Sequence, residues 1–211
     1  SVAVHPGHGA AFITLLSADS GQPGTLVARA RTEAGLGPEV FRAATGFHPD
    51  AVTLSPDGRW VLVADEGEGN ADTPGSVSVF DLKDWSPGAS APVPATRLAG
   101  LGTWCGAPDG EVEPEYVAVD PGSRLAAVSC QEDDTILLVD LRASPPRVAG
   151  AFRLSPGAHP DGVAITEWQG ALLIAVAEEG QKNADGGHAV SVWQVDAEHL
   201  ERPAVLRARL Q

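Results

Sequence analysis

A chain of 211 residues with 28 acidic and 14 basic side chains carries a net charge of −14. That excludes the basic footprint which nucleic acid or an anionic membrane requires and favours cations or cationic groups as partners, with solubility as the plainer reading. No apolar run approaches the ~18 residues of a membrane span, and the lack of methionine predicts that residue 1 opens a processed or trimmed product.

The first unit opens on Val2-Ala-Val-His-Pro6, an alternating β-branched strand closed by a Pro6-Gly7 turn, and continues with strands at 11–14 and 25–28. The phrase returns at Val52-Thr-Leu-Ser-Pro56, before a Pro56-Asp57-Gly58 turn and strands at 60–64 and 76–80. It returns again at Val117-Ala-Val-Asp-Pro121, before Pro121-Gly122 and strands at 125–129, 135–139 and 147–152. A looser copy, Val163-Ala-Ile-Thr166, turns at Gln169-Gly170 and runs on through strands at 171–177, 189–193 and 204–207. Helical patterning is nearly absent; residues 196–200 predict one short turn. Four short antiparallel strands repeated every ~45–60 residues are the grammar of propeller blades, each of which must stack on a neighbour to bury its faces. The sequence therefore predicts an all-β chain of about four blades, near 1–47, 48–112, 113–157 and 158–211, forming a single β-propeller domain or a segment of one.

The second and fourth units share more than strands. Residues 64–72 (Ala-Asp-Glu-Gly-Glu-Gly-Asn-Ala-Asp) align with 177–185 (Ala-Glu-Glu-Gly-Gln-Lys-Asn-Ala-Asp). Packing accounts for matching strands; a matching polar loop needs common descent or a common task. In a propeller the first strand of a blade lines the channel and the second returns beside it, so the start of one and the end of the other share a face. That places Asp50 beside Glu66, Asp161 beside Glu179, and Glu115 beside Gln131 at one channel mouth. His48 and His159, which precede the two Pro-Asp pairs, join these as candidate ligand-binding groups. Crowded carboxylates raise one another's pKa, and a bound cation relieves that cost. Oxygen-rich clusters suit Ca²⁺ or another divalent cation, so the candidate metal ligands are Asp50, Glu66, Glu115, Asp161 and Glu179, with Asp72 and Asp185 from the adjoining Asn-Ala-Asp loops. The competing reading is structural: the same acids cap backbone N–H groups between blades.

Residues 46–58 (Gly-Phe-His-Pro-Asp-Ala-Val-Thr-Leu-Ser-Pro-Asp-Gly), 61–68 and 75–81, then 113–119 with 128–132, then 159–163 with 177–180, resemble in order the motifs of the choice-of-anchor I family, also described as mesenchyme-specific cell-surface glycoprotein-like. More distantly the chain resembles YVTN-type and lactonase-like propellers. The resemblance implies a propeller of seven blades, bacterial, exported, and secreted, periplasmic or held at the cell surface. It implies as partners a protein or cell-envelope component, the remaining blades, or another chain. The chain departs from the family in holding about four blades and in a shortened segment near residues 100–112.

No catalytic residue and no organic cofactor are expected: nucleophile elbow, P-loop and dinucleotide fingerprint are all missing. His5 and His8 fall at the opposite end of the blade, and His188 and His199 in loops. Trp60, Trp168 and Trp193 are expected to pack in the core or between blades; for the loop residues Trp85 and Trp104, packing and ligand stacking stay open. Cys105 and Cys130 allow either one disulfide or two buried free thiols. The favoured reading is a non-catalytic binding or scaffold propeller with an acidic mouth. The alternatives are a metal-dependent hydrolase of phosphate esters or lactones, against which the lack of a Lys/Arg cluster at that mouth counts, and a purely structural envelope subunit.

Overall fold

The Val-x-Val-x-Pro phrase works because the residue ahead of each proline caps its own turn. In the computed structural model, which describes residues 1–89, 93–180 and 188–210, His5 Nδ1 accepts the N–H groups of Gly7 and His8. Ser55 Oγ accepts the N–H of Trp60, and Asp120 Oδ1 accepts those of Arg124 and Leu125. The main-chain N–H of each capping residue then crosses the hairpin to Ala10, Trp60 or Leu125. Three different side chains thus close the same turn.

Among the described residues, sixteen strands form four antiparallel four-stranded sheets, each ordered as in the sequence. Blade A holds β1 (Val2–Val4), β2 (Ala10–Leu15), β3 (Thr25–Thr32) and β4 (Gly35–Ala44). Blade B holds β5 (Pro49–Leu54), β6 (Trp60–Asp65), β7 (Ser76–Asp81) and β8 (Ala95–Leu98). Blade C holds β9 (Pro114–Val119), β10 (Leu125–Cys130), β11 (Thr135–Asp140) and β12 (Arg147–Arg153). Blade D holds β13 (Pro160–Trp168), β14 (Ala171–Glu178), β15 (Ala189–Val195) and β16 (Val205–Leu210). The first strands β1, β5, β9 and β13 pack side by side in that order, so the chain is an arc of four propeller blades.

Three apolar cores lie between successive blades. Phe12, Phe41, Phe80 and Trp85 lead the one between A and B; Leu62, Val79, Val128 and Leu137 that between B and C; Leu138, Phe152, Leu172 and Ile174 that between C and D. Burying a side chain of this size contributes ~1.5–3 kcal/mol, and the inner strands of blades B and C are buried on both faces because each of these blades has a neighbour on each side. Trp85 belongs to the first of these cores, in edge contact with Phe12 and Phe41. Trp60 and Trp193 pack as expected, but Trp168 is 64% exposed. It ends β13 at the tip of the β13–β14 hairpin. Apart from Trp104 and Tyr116, the exposed large apolar residues gather in the two end blades: Val2, Val4, Leu15, Leu16 and Leu36 in A, and Trp168, Val190, Val205, Leu206 and Leu210 in D.

Between β8 and β9 the chain forms a four-residue helix, α1 (Gly102–Cys105), and a 3₁₀ turn (Asp109–Glu111). Too short to hold by itself, α1 is fixed by the Gly102 N–H on Asp109 Oδ1 (2.8 Å), by burial of Leu101 and Cys105, and by Arg153, whose guanidinium donates to the Cys105 carbonyl. Cys105 and Cys130 are both buried free thiols, and the hydrogen bond between them together with burial pushes the Cys130 thiol well above its usual range. No helix among the described residues is long and apolar enough to cross a membrane.

Candidate functional site: the acidic rim

The rim is built from a backbone clip repeated in three blades. His48 and His159 sit in the left-handed region (φ 49° and 46°), a conformation that costs a non-glycine residue ~1–2 kcal/mol. It turns the His48 carbonyl onto the N–H of Glu66 (2.9 Å) and the His159 carbonyl onto the N–H of Glu179 (3.1 Å). The preceding carbonyls, of Phe47 and Ala158, take the N–H groups of Gly67 and Gly180. In blade C the Glu113 carbonyl accepts the N–H of Gln131 (3.1 Å) in the same way. Beside each clip the ladder slips: Pro49 pairs with Asp65, Pro114 with Cys130 and Pro160 with Glu178, each next to a register shift. The residue after each proline, Asp50, Glu115 or Asp161, is thereby held at the inner end of its strand. Blade-to-blade hydrogen bonds lock two of these positions, from Thr14 Oγ1 to the Asp50 carbonyl (3.4 Å) and from Ser129 Oγ to the Asp161 carbonyl (2.7 Å).

The side chains then share one field. Loss of water, followed by the charges of Glu66, Asp50, Asp161 and Glu113, pushes the Glu115 carboxyl up to about 7. Burial, then Glu179 and Asp50, raises Asp161; burial, then Glu132, Glu66 and Asp133, raises Glu113. The structure thus brings Asp50, Glu66, Glu115, Asp161 and Glu179 to one end of the arc. Gln131 Nε2 reaches Glu179 Oε2 at 3.4 Å. The histidines face the same acids: His48 Nδ1 lies 3.4 Å from Glu66 Oε2 and its Nε2 3.9 Å from Glu68, while His159 Nδ1 lies 3.7 Å from Glu132. Asp72 sits in an exposed turn where its N–H donates to Asn70 Oδ1 (3.0 Å). Asp185 lies outside the described residues. Among the described residues, no three His, Cys, Asp or Glu side chains are disposed to hold one metal ion.

Glu113 is a rim acid the motif search passed over. Laying Glu113-Pro-Glu115 over His48-Pro-Asp50 and His159-Pro-Asp161 would have found it, because all three triplets start on the residue whose carbonyl makes the clip. A second hidden acid, Asp65, is fully buried between blades A and B. It accepts the hydroxyls of Ser76 (2.9 Å) and Ser78 (2.6 Å), and burial pushes its carboxyl up to about 6.

The choice-of-anchor I domain matches this sequence over residues 1–147. No curated protein matches it. Among solved structures it is similar to a Lactobacillus plantarum protein (TM-score 0.68, 11% identity, covering 100% of this chain and 55% of that one). It is also similar to the Pseudomonas aeruginosa periplasmic gluconolactonase (0.64, 15%, 99% and 56%) and to a β-propeller domain from Myceliophteria thermophila (0.61, 12%, 93% and 53%). At these identities the likeness is one of fold. The chain spans little more than half the length of each.

Proposed function

The chain belongs to the choice-of-anchor I family, and from that premise we propose that it is a non-catalytic, cell-surface binding propeller whose acidic rim receives a cationic group from a protein or cell-envelope component. The observation that carries this reading is the convergence of Asp50, Glu66, Glu113 and Asp161 on Glu115, whose carboxyl is pushed up to about 7 by burial and then by these charges. A cation entering the rim would restore the ionised form of Glu115 and relieve the repulsion. Basic side chains suit the arrangement better than a chelated ion, because the carboxylates are spread over the ends of three blades rather than gathered around one point. A divalent cation such as Ca²⁺ is the smaller ligand that the same field would draw in.

Calorimetric titration with hexalysine and, separately, with Ca²⁺ tests the proposal. Hexalysine should bind, and the triple change Asp50→Asn, Glu115→Gln and Asp161→Asn should weaken it more than about tenfold, as should raised salt. Hexalysine binding that ignores both perturbations, or no binding at low salt, would refute the reading; a Ca²⁺ heat lost in the triple variant would make the cation the ligand.

A further inference from the structure

Away from the rim, on the outer edge of blades C and D, lies a groove of about 440 Å³ lined by Trp104, Asp140, Arg142, Arg147, Glu198 and Glu201, within the roughly 300–1,000 Å³ range of ligand sites. We propose that this groove binds a neutral carbohydrate, with Trp104 as the stacking platform.

The walls are built rather than incidental. Trp104 is the exposed aromatic residue of α1, 40% accessible while Gly102 and Cys105 of the same helix are buried. The helix closes on Gly106 in the left-handed region, and Arg153 holds the Cys105 carbonyl from blade C. The opposite wall is the β15–β16 connection, which crosses β12 where residue 150 is glycine; a Cβ there would collide with the Leu200 carbonyl. Arg142, held by Asp140 Oδ1 (3.0 Å) on its own blade, ties that connection down through Ala197 O (2.9 Å) and Glu198 Oε2 (3.1 Å). Among the described residues Arg147 has no carboxylate partner, so its guanidinium is available to a ligand.

The chemistry selects the ligand class. A single indole open on one side offers a flat apolar face, which matches the C–H face of a pyranose ring. Fixed guanidinium–carboxylate pairs present donors and acceptors side by side, the arrangement that vicinal hydroxyls require. Three carboxylates against two arginines disfavour an anionic ligand, and the overall charge of −14 disfavours it further.

The test is indole fluorescence and calorimetry on the 211-residue chain with cellotetraose, maltotetraose and chitotetraose, using tetragalacturonate as the acidic comparison. At least one neutral tetrasaccharide should bind at roughly millimolar Kd or tighter, with Trp104→Ala weakening it about tenfold and Trp104→Phe less. Arg147→Ala should weaken it as well, and Trp168→Ala, which removes an exposed indole outside the groove, should leave it unchanged. Binding of none of the neutral probes, binding of the acidic probe alone, or equal losses from Trp104→Ala and Trp168→Ala would overturn the proposal. The two tryptophans are 40% and 64% exposed, so neither truncation removes a core contact.

Discussion

Replacing Glu115 by Gln keeps the shape of the rim's most crowded side chain and deletes its charge. The folded-state carboxyl titrates near 7 against an ordinary 4.5. Because the folded protein binds this proton more tightly than the unfolded chain does, the stabilisation is fully present below 4.5 and is lost as pH rises through about 7. At ~1.4 kcal/mol per pH unit the shift is worth ~3 kcal/mol in a dry site, and solvent reaching this half-buried group leaves roughly 1–2 kcal/mol. Glu115→Gln should therefore stabilise the protein by that amount at about pH 8, raising Tm by roughly 3–6 °C, and change it little at about pH 5. Thermal melts of both proteins at the two pH values, at low ionic strength, measure the difference. Equal melting at about pH 8, or the same shift at both pH values, would refute the claim that burial and the neighbouring acids raise the Glu115 carboxyl.

Two other consequences concern the contacts between blades A and B. A methyl group at Gly46 would collide with Ser76 Oγ and with the Asp65 carboxylate, so Gly46→Ala should destabilise the fold by ~2 kcal/mol or more in urea titration; a loss below about 0.5 kcal/mol would contradict the close approach. His5 receives two N–H groups on Nδ1 and faces the Gly58 carbonyl with Nε2 at 2.9 Å, so it is the neutral Nε2–H form. Burial, outweighing the bond to Gly58, lowers its pKa from 6.5, so its contribution is present above 6.5 and lost as pH falls through and below that value. NMR titration of the imidazole should place its midpoint below 6.5, and a midpoint at or above it would sink the assignment.

The inner strands were legible because their periodicity and punctuation agree: Val2, Val52, Val117 and Val163 begin runs that alternate, and glycine or proline closes most of them. The outer strands β4 and β8 were not. β4 carries Gly35, Gly37 and Pro38, and β8 is only Ala95–Leu98, so their strand character comes from an edge to pair with rather than from their own residues. Trp85 reads as a loop aromatic, and only the neighbouring blade shows it to be core. The rim was legible as a set of acids, since Asp50, Glu115 and Asp161 follow proline at matching positions. The state of those acids was not, because desolvation and mutual field exist only once three blades stand together.

Comparison of the three clips separates the backbone's requirement from the rim's chemistry. The bonds that hold the clip join main-chain atoms: the carbonyls of His48, Glu113 and His159, and the N–H groups of Glu66, Gln131 and Glu179. Blade C makes the same bond with an uncharged glutamine where blades B and D have glutamate, and with a glutamate where they have histidine. Capping by side chains therefore cannot account for the acids at Glu66 and Glu179, since the amide of Gln131 serves the clip equally well. Those carboxylates, and the burial and repulsion that together lift Glu115 to about 7, are a cost the clip does not require. A cost of that kind, carried at the end of the channel where Asp50, Glu115 and Asp161 meet, is the physical basis on which the proposed binding of a positively charged ligand rests.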